Sequence, residues 1–175
     1  RPRALVAGPD GHSDIRAYAL NAASRRLLES VRAWPEPSPG NPGSFSAVTP
    51  VQRMCVNGDK GGQLVFDANA SGESSLNWIV DVPALEARLA DALHFQSNIR
   101  VFNSEEVPPS CALTVVCEGR RSATRDEWGL QYNVSPYPHH ALAARLALPH
   151  PHAGIARQWF KDGEILALLP MGGEG

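Results

Sequence analysis

Residues 112–125 read ALTVVCEGRRSATR, and the rest of the chain is organised around them. The apolar run at 112–117, rich in Val, Leu and Thr, predicts a buried strand, and the abrupt change to Glu118-Gly119 predicts a turn at its C-terminal end. Ligands of open α/β sheets bind outside the carboxyl ends of strands, so an acid, a glycine and several arginines there suit a diphosphate cofactor. The alternative is an ordinary strand and turn with a solvated cluster of charges. By themselves, these residues favour that alternative.

The size and composition of the chain are those of a globular protein. Its 175 residues are 43% hydrophobic and 19% charged, which allows one good core or two small lobes. A formal net charge of −2, with no obviously basic face, argues against a general nucleic-acid-binding protein. Its apolar stretches fall short of the roughly 20 residues that span a bilayer, and no cationic leader is present. We therefore expect a cytoplasmic protein.

The cysteines and histidines do not indicate a metal site or a disulfide framework. The three cysteines are odd in number and widely spaced, so we expect buried thiols: Cys55, Cys111 and Cys117. Four histidines lie in a Pro-rich segment without acidic or Cys partners at ligand spacing: His139, His140, His150 and His152. We expect these histidines at the surface or at strand ends, and no bound metal.

The first half of the chain predicts elements of two kinds. Residues 3–8 predict a strand, residues 17–34 show helical spacing, and residues 35–50, with five prolines, predict a linker. Arg16 precedes the predicted helix, where the dipole disfavours a cation, so it makes most sense if it shares an anion with the helix end. The alternative is a solvent-facing arginine, which the sequence alone favours.

Strand patterns then follow, and a second helix separates them. Residues 51–57 and 63–68 predict a hairpin, residues 76–80 a further strand, and Asp81 caps a helix at 82–94. Beyond that helix, four more strands and a helical turn from Ser122 to Trp128, ended by Gly129, are predicted. The strand patterns are at 99–102, 137–148, 154–160 and 165–169, the last two joined by a tight turn.

This alternation predicts an α/β (α+β) fold built from interleaved segments. We expect residues 1–47 and 82–128 to form a partial cofactor-binding α/β unit. Residues 48–81 and 129–175 should form a mainly antiparallel sheet, in which 51–68 and 154–169 lie together.

At four places the chain resembles the flavin-dependent aromatic hydroxylases of the p-hydroxybenzoate hydroxylase class, and among them the ubiquinone-biosynthesis hydroxylases. Residues 13–20, SDIRAYAL, are similar to the family's loop into its first long helix, whose arginine lies against the flavin. Residues 117–125, CEGRRSATR, are similar to its Asp-Gly-x-x-Ser-x-x-Arg fingerprint. Residues 151–160 and 163–171 resemble two sheet strands of the ubiquinone branch. The likeness spans nearly the whole chain in the right order.

The chain departs from the family pattern in three respects. Glu118 stands where the family has aspartate, and Val82 where it commonly has Asn or Gln. No Gly-x-Gly-x-x-Gly occurs, nor the family's later Gly-Asp segment; the family places these before and after the residues matched here. We therefore expect a central piece of a longer flavoprotein, inactive as the 175-residue chain alone.

The resemblance implies a monooxygenase that uses FAD, NAD(P)H and O2 to hydroxylate an aromatic ring, on a prenylated phenol or quinol of ubiquinone biosynthesis. Its implied cofactor-binding residues are Arg16, Ala17, Glu118, Gly119 and Arg125, of which Arg125 either meets phosphate or pairs with Glu118. No side chain is assigned as a catalytic acid or base. The implied partners are a small aromatic or quinol substrate and no nucleic acid.

Several alternatives stay open at this point. Association with the inner membrane or with a biosynthetic complex, and self-association, are all compatible with the sequence. The function could also be that of a non-catalytic ligand- or partner-binding protein built on the antiparallel sheet. A third possibility is another flavin monooxygenase, or a halogenase, on the same scaffold.

Overall fold

The computed structural model describes residues 14–36, 46–102 and 110–172. In chain order, its elements are β1 (Ala17–Leu20), α1 (Ala22–Ser30), β2 (Val48–Val51), β3 (Arg53–Asn57), β4 (Gln63–Asp67), a 3-10 turn (Asn69–Ser71), β5 (Asn77–Asp81), α2 (Val82–His94), α3 (Ala123–Glu127), β6 (Ile155–Lys161) and β7 (Glu164–Leu168). Helices thus accompany two mostly antiparallel sheets, which confirms the predicted α+β class.

The described residues divide into two compact units. The larger unit contains residues up to 97 together with those from 143 onward, and the smaller unit contains residues 98–142. The larger unit holds both sheets with α1 and α2, and the smaller unit holds α3. The division into a cofactor unit and a substrate sheet, as stated from the sequence, stays a prediction.

Strand β5 is the centre of the larger unit, because both of its faces are buried. It lies between β1 and β2 in a three-stranded antiparallel sheet. Successive side chains of a strand point to opposite faces, so Trp78 and Val80 pack on one face and Ile79 on the other. The first cluster also contains Trp34, Val48 and Leu85, and the second contains Val51 and Ala156. Because β5 pairs with β1 and β2 and not with the strands of the 51–68 hairpin, the prediction that it belongs to the same sheet as that hairpin was wrong.

Strand β1 corrects the prediction of one helix over residues 17–34. Residues 17–20 pair with β5, Ala17 opposite Asp81 and Leu20 opposite Trp78, and α1 starts only at residue 22. The Asn21 side chain caps α1 by accepting a hydrogen bond from the Ser24 amide at 2.9 Å. The pairing with β5 supplies backbone hydrogen bonds that override the helical spacing of the side chains.

The second sheet has the strand order β4-β3-β6-β7. The β3–β4 and β6–β7 hairpins are antiparallel, and a parallel pairing of β3 with β6 joins them. Asp162 and Gly163, with φ of 51° and 84°, form the left-handed two-residue turn that a tight hairpin requires. This sheet confirms that residues 51–68 and 154–169 lie together.

Helix α2 begins and ends where the sequence predicts. The Asp81 carboxylate accepts a hydrogen bond from the Ala84 amide at 3.2 Å, which satisfies one of the free amides of the first turn. Pro83 stands in that first turn, where its missing amide hydrogen has no helical partner to lose. Asp81 is therefore both the last residue of β5 and the N-cap of α2.

Several sequence predictions of strands and burial were wrong. Residues 99–102, 112–117 and 137–148 form no strand, and Leu113 and Val115 are 77% and 71% exposed. A strand needs a hydrogen-bonding neighbour, and none of the described strands pairs with these segments. The predicted linker 35–50 contributes its last residues to β2, where Pro50 is tolerated because β2 is an edge strand. The strand predicted at 3–8 lies outside the described residues.

The cysteines also depart from expectation. Cys111 and Cys117 are exposed and Cys55 is half-buried, whereas buried thiols were predicted. Cys111 directly precedes the apolar run 112–117 and Cys117 is its last residue, so both thiols share the exposure of that segment. Among the helices of the described chain, none has the length and apolar character needed to cross a membrane.

Candidate functional site

The carboxylate of Glu118 holds together the turn that follows residues 112–117. Its Oε2 accepts hydrogen bonds from Ser122 Oγ at 2.7 Å and from the Thr124 amide at 3.1 Å, and its Oε1 accepts one from the Thr124 hydroxyl. These bonds, that of the Thr124 hydroxyl foremost, lower the pKa of Glu118. The ionised carboxylate thus closes residues 118–124 into a loop.

Ser122 connects this loop to α3. Its hydroxyl is buried with the residue, which is 3% exposed, and it accepts a hydrogen bond from the Arg125 amide at 3.1 Å. Ser122 is therefore the N-cap of α3 while it also donates to Glu118. The helix ends at Glu127, and Gly129, with φ of 65°, follows the C-cap Trp128, so the predicted helical turn from Ser122 to Trp128 is confirmed.

Gly119 leaves the backbone of the turn open. Its φ of 74° is in the left-handed region, which glycine adopts without steric cost. No atom of the described chain lies within 4 Å of the position that a Cβ would take. A ligand can therefore approach this peptide more closely than it could approach one that carries a side chain.

Arg125 has a guanidinium that is only partly satisfied. It donates to the Arg120 carbonyl at 3.0 Å and to the Tyr132 hydroxyl at 3.3 Å, and it lies 4.1 Å from the centre of the Tyr132 ring. Its ion pair is with Asp126, at 3.6 Å, and within the described residues none joins it to Glu118. Its Nε is buried and has no hydrogen-bond partner in the described part of the chain.

These residues line one depression of about 220 Å³ in the smaller unit. Its lining consists of Val116, Glu118, Gly119, Ser122, Arg125, Trp128 and Leu130. Three of the predicted cofactor-binding residues are thus brought together. Pockets that enclose a whole small molecule usually measure about 300–1,000 Å³, so this depression fits one portion of a larger ligand.

The lining suits a polar or anionic group. Arg125 and the open backbone at Gly119 border the depression, and Glu118 is already engaged by its own loop. The apolar side chains Trp128 and Leu130 border the same depression.

Arg16 and Ala17, the other predicted cofactor-binding residues, stand in the larger unit. Arg16 lies directly before β1, not at the mouth of a helix as predicted, and its side chain is 56% exposed. The guanidinium forms ion pairs with Asp14 at 2.6 Å and with Glu86 at 3.2 Å. The hydrogen bonds from Arg16 lower the pKa of Asp14 to about 2, so this pair persists to low pH.

The histidines are distributed over the surface, as expected. His139, His140 and His150 are exposed, and His152 is half-buried with its Nδ1 accepting a hydrogen bond from the Gly154 amide at 3.0 Å. In the described ranges, the side chains of His, Cys, Asp and Glu form no group of three that could hold a metal ion.

Arg145 is a residue that the sequence reasoning missed. Its guanidinium reaches the Asp81 carboxylate and the backbone carbonyls of residues 14–16. The available signal was a single charge within the otherwise apolar run ALAARLAL at 141–148. A lone arginine in such a run is expected to pair with a buried acidic or carbonyl group, because charged side chains are seldom buried unless they are paired.

A comparison of the sequence with models of known protein families finds no match.

Proposed function

We propose that this chain is part of a flavin-dependent monooxygenase that hydroxylates an aromatic ring, using NAD(P)H and O2. The substrate class we propose is a prenylated phenol or quinol of ubiquinone biosynthesis. The observation that carries the proposal is the hydrogen-bonded unit formed by Glu118, Ser122 and Arg125, with Gly119 at its left-handed turn. These are the positions at which the chain resembles the Asp-Gly-x-x-Ser-x-x-Arg fingerprint, and they act as one physical unit.

The geometry explains why each residue type is needed at its position. Glu118 supplies the acceptor that closes the loop, Gly119 adopts the left-handed turn, and Ser122 links the carboxylate to α3. Arg125 is then held at the border of the depression. A glutamate in place of the family's aspartate still supplies the acceptor that closes the loop, because its carboxylate reaches Ser122 and Thr124.

In this proposal the redox chemistry belongs to FAD, which supplies electron transfer and oxygen activation when it is bound. This chain contributes binding and orientation: Gly119 and Arg125 would hold the diphosphate portion, and Arg16 would contact the flavin. Among the groups near the depression, none is assigned as an acid or base. The substrate would be oriented by the sheet residues, which the resemblance places in the substrate part of the protein.

The test uses the longer flavoprotein that we propose contains this chain, purified from its native reading frame. The expected result is a yellow protein with flavin absorbance that oxidises NAD(P)H faster when a phenol or quinol is added. Arg125→Gln should weaken FAD binding by about 1.5–3 kcal/mol, roughly 10- to 150-fold in Kd, the value of one charge-assisted hydrogen bond. Arg121→Gln is the matched control, since that exposed arginine does not line the depression.

Two results would overturn the proposal. A colourless protein that binds no added FAD would remove the flavoprotein class altogether. Equal FAD affinity in the two arginine variants would remove the assignment of Arg125 to the cofactor. The DNA sequence upstream of Arg1 gives an independent check, because a Gly-x-Gly-x-x-Gly on a strand is expected there.

One observation favours the alternative of a non-catalytic binding protein. Strand β4 is at the edge of its sheet, and Leu64, Val65 and Phe66 are each more than half exposed. Consecutive exposed apolar residues on an edge strand are suited to pairing with another chain. Under this alternative the protein is colourless and self-associates, and Val65→Lys shifts its sedimentation toward the monomer.

A further inference from the structure

Arg145 joins three segments that are distant along the chain. Its guanidinium donates to the carbonyl of Ile15 at 3.3 Å, to that of Arg16 at 3.3 Å and to that of Asp14 at 3.5 Å, and it forms an ion pair with Asp81. The side chains of Arg145 and Asp81 are only 18% and 13% exposed. All of these residues belong to the larger unit.

Asp81 has a second function in the same cluster. One carboxylate oxygen accepts from Arg145 while the other caps α2 through the Ala84 amide. Asp81 is also the register partner of Ala17 in the β1–β5 pairing, and the Val82 amide donates to the Arg16 carbonyl at 3.2 Å. The cluster therefore fixes the backbone at the entry to β1.

The backbone and the side chain of Arg16 are held by different groups. Arg145 and the Val82 amide hold its carbonyl, while Asp14 and Glu86 contact its guanidinium, which stays largely exposed. Anchoring the main chain keeps the guanidinium in place beside Asp14, while Glu86, whose side chain is 60% exposed, can be exchanged for another anion. An arginine is required at 145, because only a planar fork with five N–H donors reaches several carbonyls and a carboxylate at once.

We propose that Arg145 is a positioning residue that fixes the backbone of residues 14–16 so that the Arg16 guanidinium is presented to the cofactor. This inference rests on the proposed function, in which Arg16 contacts the flavin. The clamp itself, formed by Arg145, Asp81 and the carbonyls of residues 14–16, is a property of this chain that can be tested without any cofactor.

The first measurement is amide hydrogen exchange of the 175-residue chain, comparing Arg145→Gln with Arg53→Gln. Arg53 is a matched control because it also forms an ion pair with an aspartate, Asp67 at 2.8 Å, at the start of β3. Arg145→Gln should speed exchange in residues 14–20 and at Val82, and Arg53→Gln should not. Unchanged exchange in residues 14–20 would overturn the clamp.

The second measurement is the FAD affinity of the longer flavoprotein. Arg145→Gln leaves Asp81 as a buried charge without its partner, which could prevent folding, so the variant Arg145→Gln/Asp81→Asn removes both charges. This double variant should recover thermal stability and still bind FAD about tenfold more weakly than the wild type. Arg145→Lys should give an intermediate loss, since an ammonium pairs with Asp81 but does not span the carbonyls.

The outcomes separate this inference from the proposed function. A wild type that binds FAD, with a folded double variant of equal affinity, would refute the positioning role and leave the flavoprotein proposal intact. A wild type that binds no FAD would refute the proposed function and the positioning role with it. In that case the exchange measurement still decides whether Arg145 clamps the entry to β1.

Discussion

Replacing Ser122 with alanine should loosen α3 and the turn before it together. The hydroxyl of Ser122 accepts from the Arg125 amide at 3.1 Å and donates to Glu118 at 2.7 Å, and the residue is 3% exposed. Loss of an N-cap of this kind costs about 1–2 kcal/mol, which corresponds to a roughly 5- to 30-fold larger opening constant for the helix. Loss of the hydrogen bond from Ser122 to Glu118 further increases the opening constant of the turn and helix.

The assay is site-resolved hydrogen exchange at the Trp128 amide, which donates to the Thr124 carbonyl at 3.0 Å in α3. Ser30→Ala is the control, because the Ser30 hydroxyl donates to the Leu27 carbonyl within α1 and caps nothing. We expect faster exchange at Trp128 in Ser122→Ala alone. An exchange rate within twofold of wild type would refute the reasoning that Ser122 links the turn to the helix.

The same variant has a consequence for pH dependence. Hydrogen bonds hold the pKa of Glu118 below its ordinary value of 4.5, so the stability they contribute is fully present above pH 4.5 and is lost as the pH falls through the lowered pKa. Ser122→Ala removes one of the donors, and the pKa of Glu118 should therefore rise toward 4.5. An NMR titration of the carboxylate measures this shift, and an unchanged pKa would contradict the hydrogen bond.

Three further predictions test the assignment of Arg16, the burial of Ile79 and the backbone conformation of Gly119. In the proposed flavoprotein, Arg16→Ala should lower FAD occupancy on purification more than Arg32→Ala, since only Arg16 is assigned to the cofactor; equal occupancy would remove that assignment. Ile79→Ala, at a side chain 2% exposed, should lower the free energy of unfolding by about 2–5 kcal/mol. Leu27→Ala, at one 66% exposed, should change it by less than about 0.5 kcal/mol, and similar urea midpoints would contradict the burial of β5. Gly119→Ala should cost about 1–2 kcal/mol in the stability of the turn, because φ is 74° there, and an unchanged rate of Trp128 exchange would argue against that strain.

Much of the fold could be predicted because its signals are local. Asp81 followed by Pro83 marks the start of α2, and both hairpins follow from glycine-containing turns between strand patterns. In the candidate site, the hydrogen bonds of Glu118 and of the cap at Ser122 join residues three to six positions apart. Sequence reasoning therefore located the turn after residue 117 and missed the exposure of the run at 112–117, and the assignment of the turn's residues to a cofactor stays a prediction.

What the sequence by itself determined were elements whose hydrogen bonds close within a few residues: α2, α3 and the two hairpins. Only the tertiary structure decided that residues 17–20 form a strand, that β5 leaves the hairpin sheet, and that Arg145 clamps the entry to β1. The partners in these cases lie far along the chain, such as Ala17 with Asp81 and Arg145 with Ile15, 130 residues away. Local patterns carry no information about such partners, because the free energy that selects them comes from packing and pairing that exist only once the chain has folded.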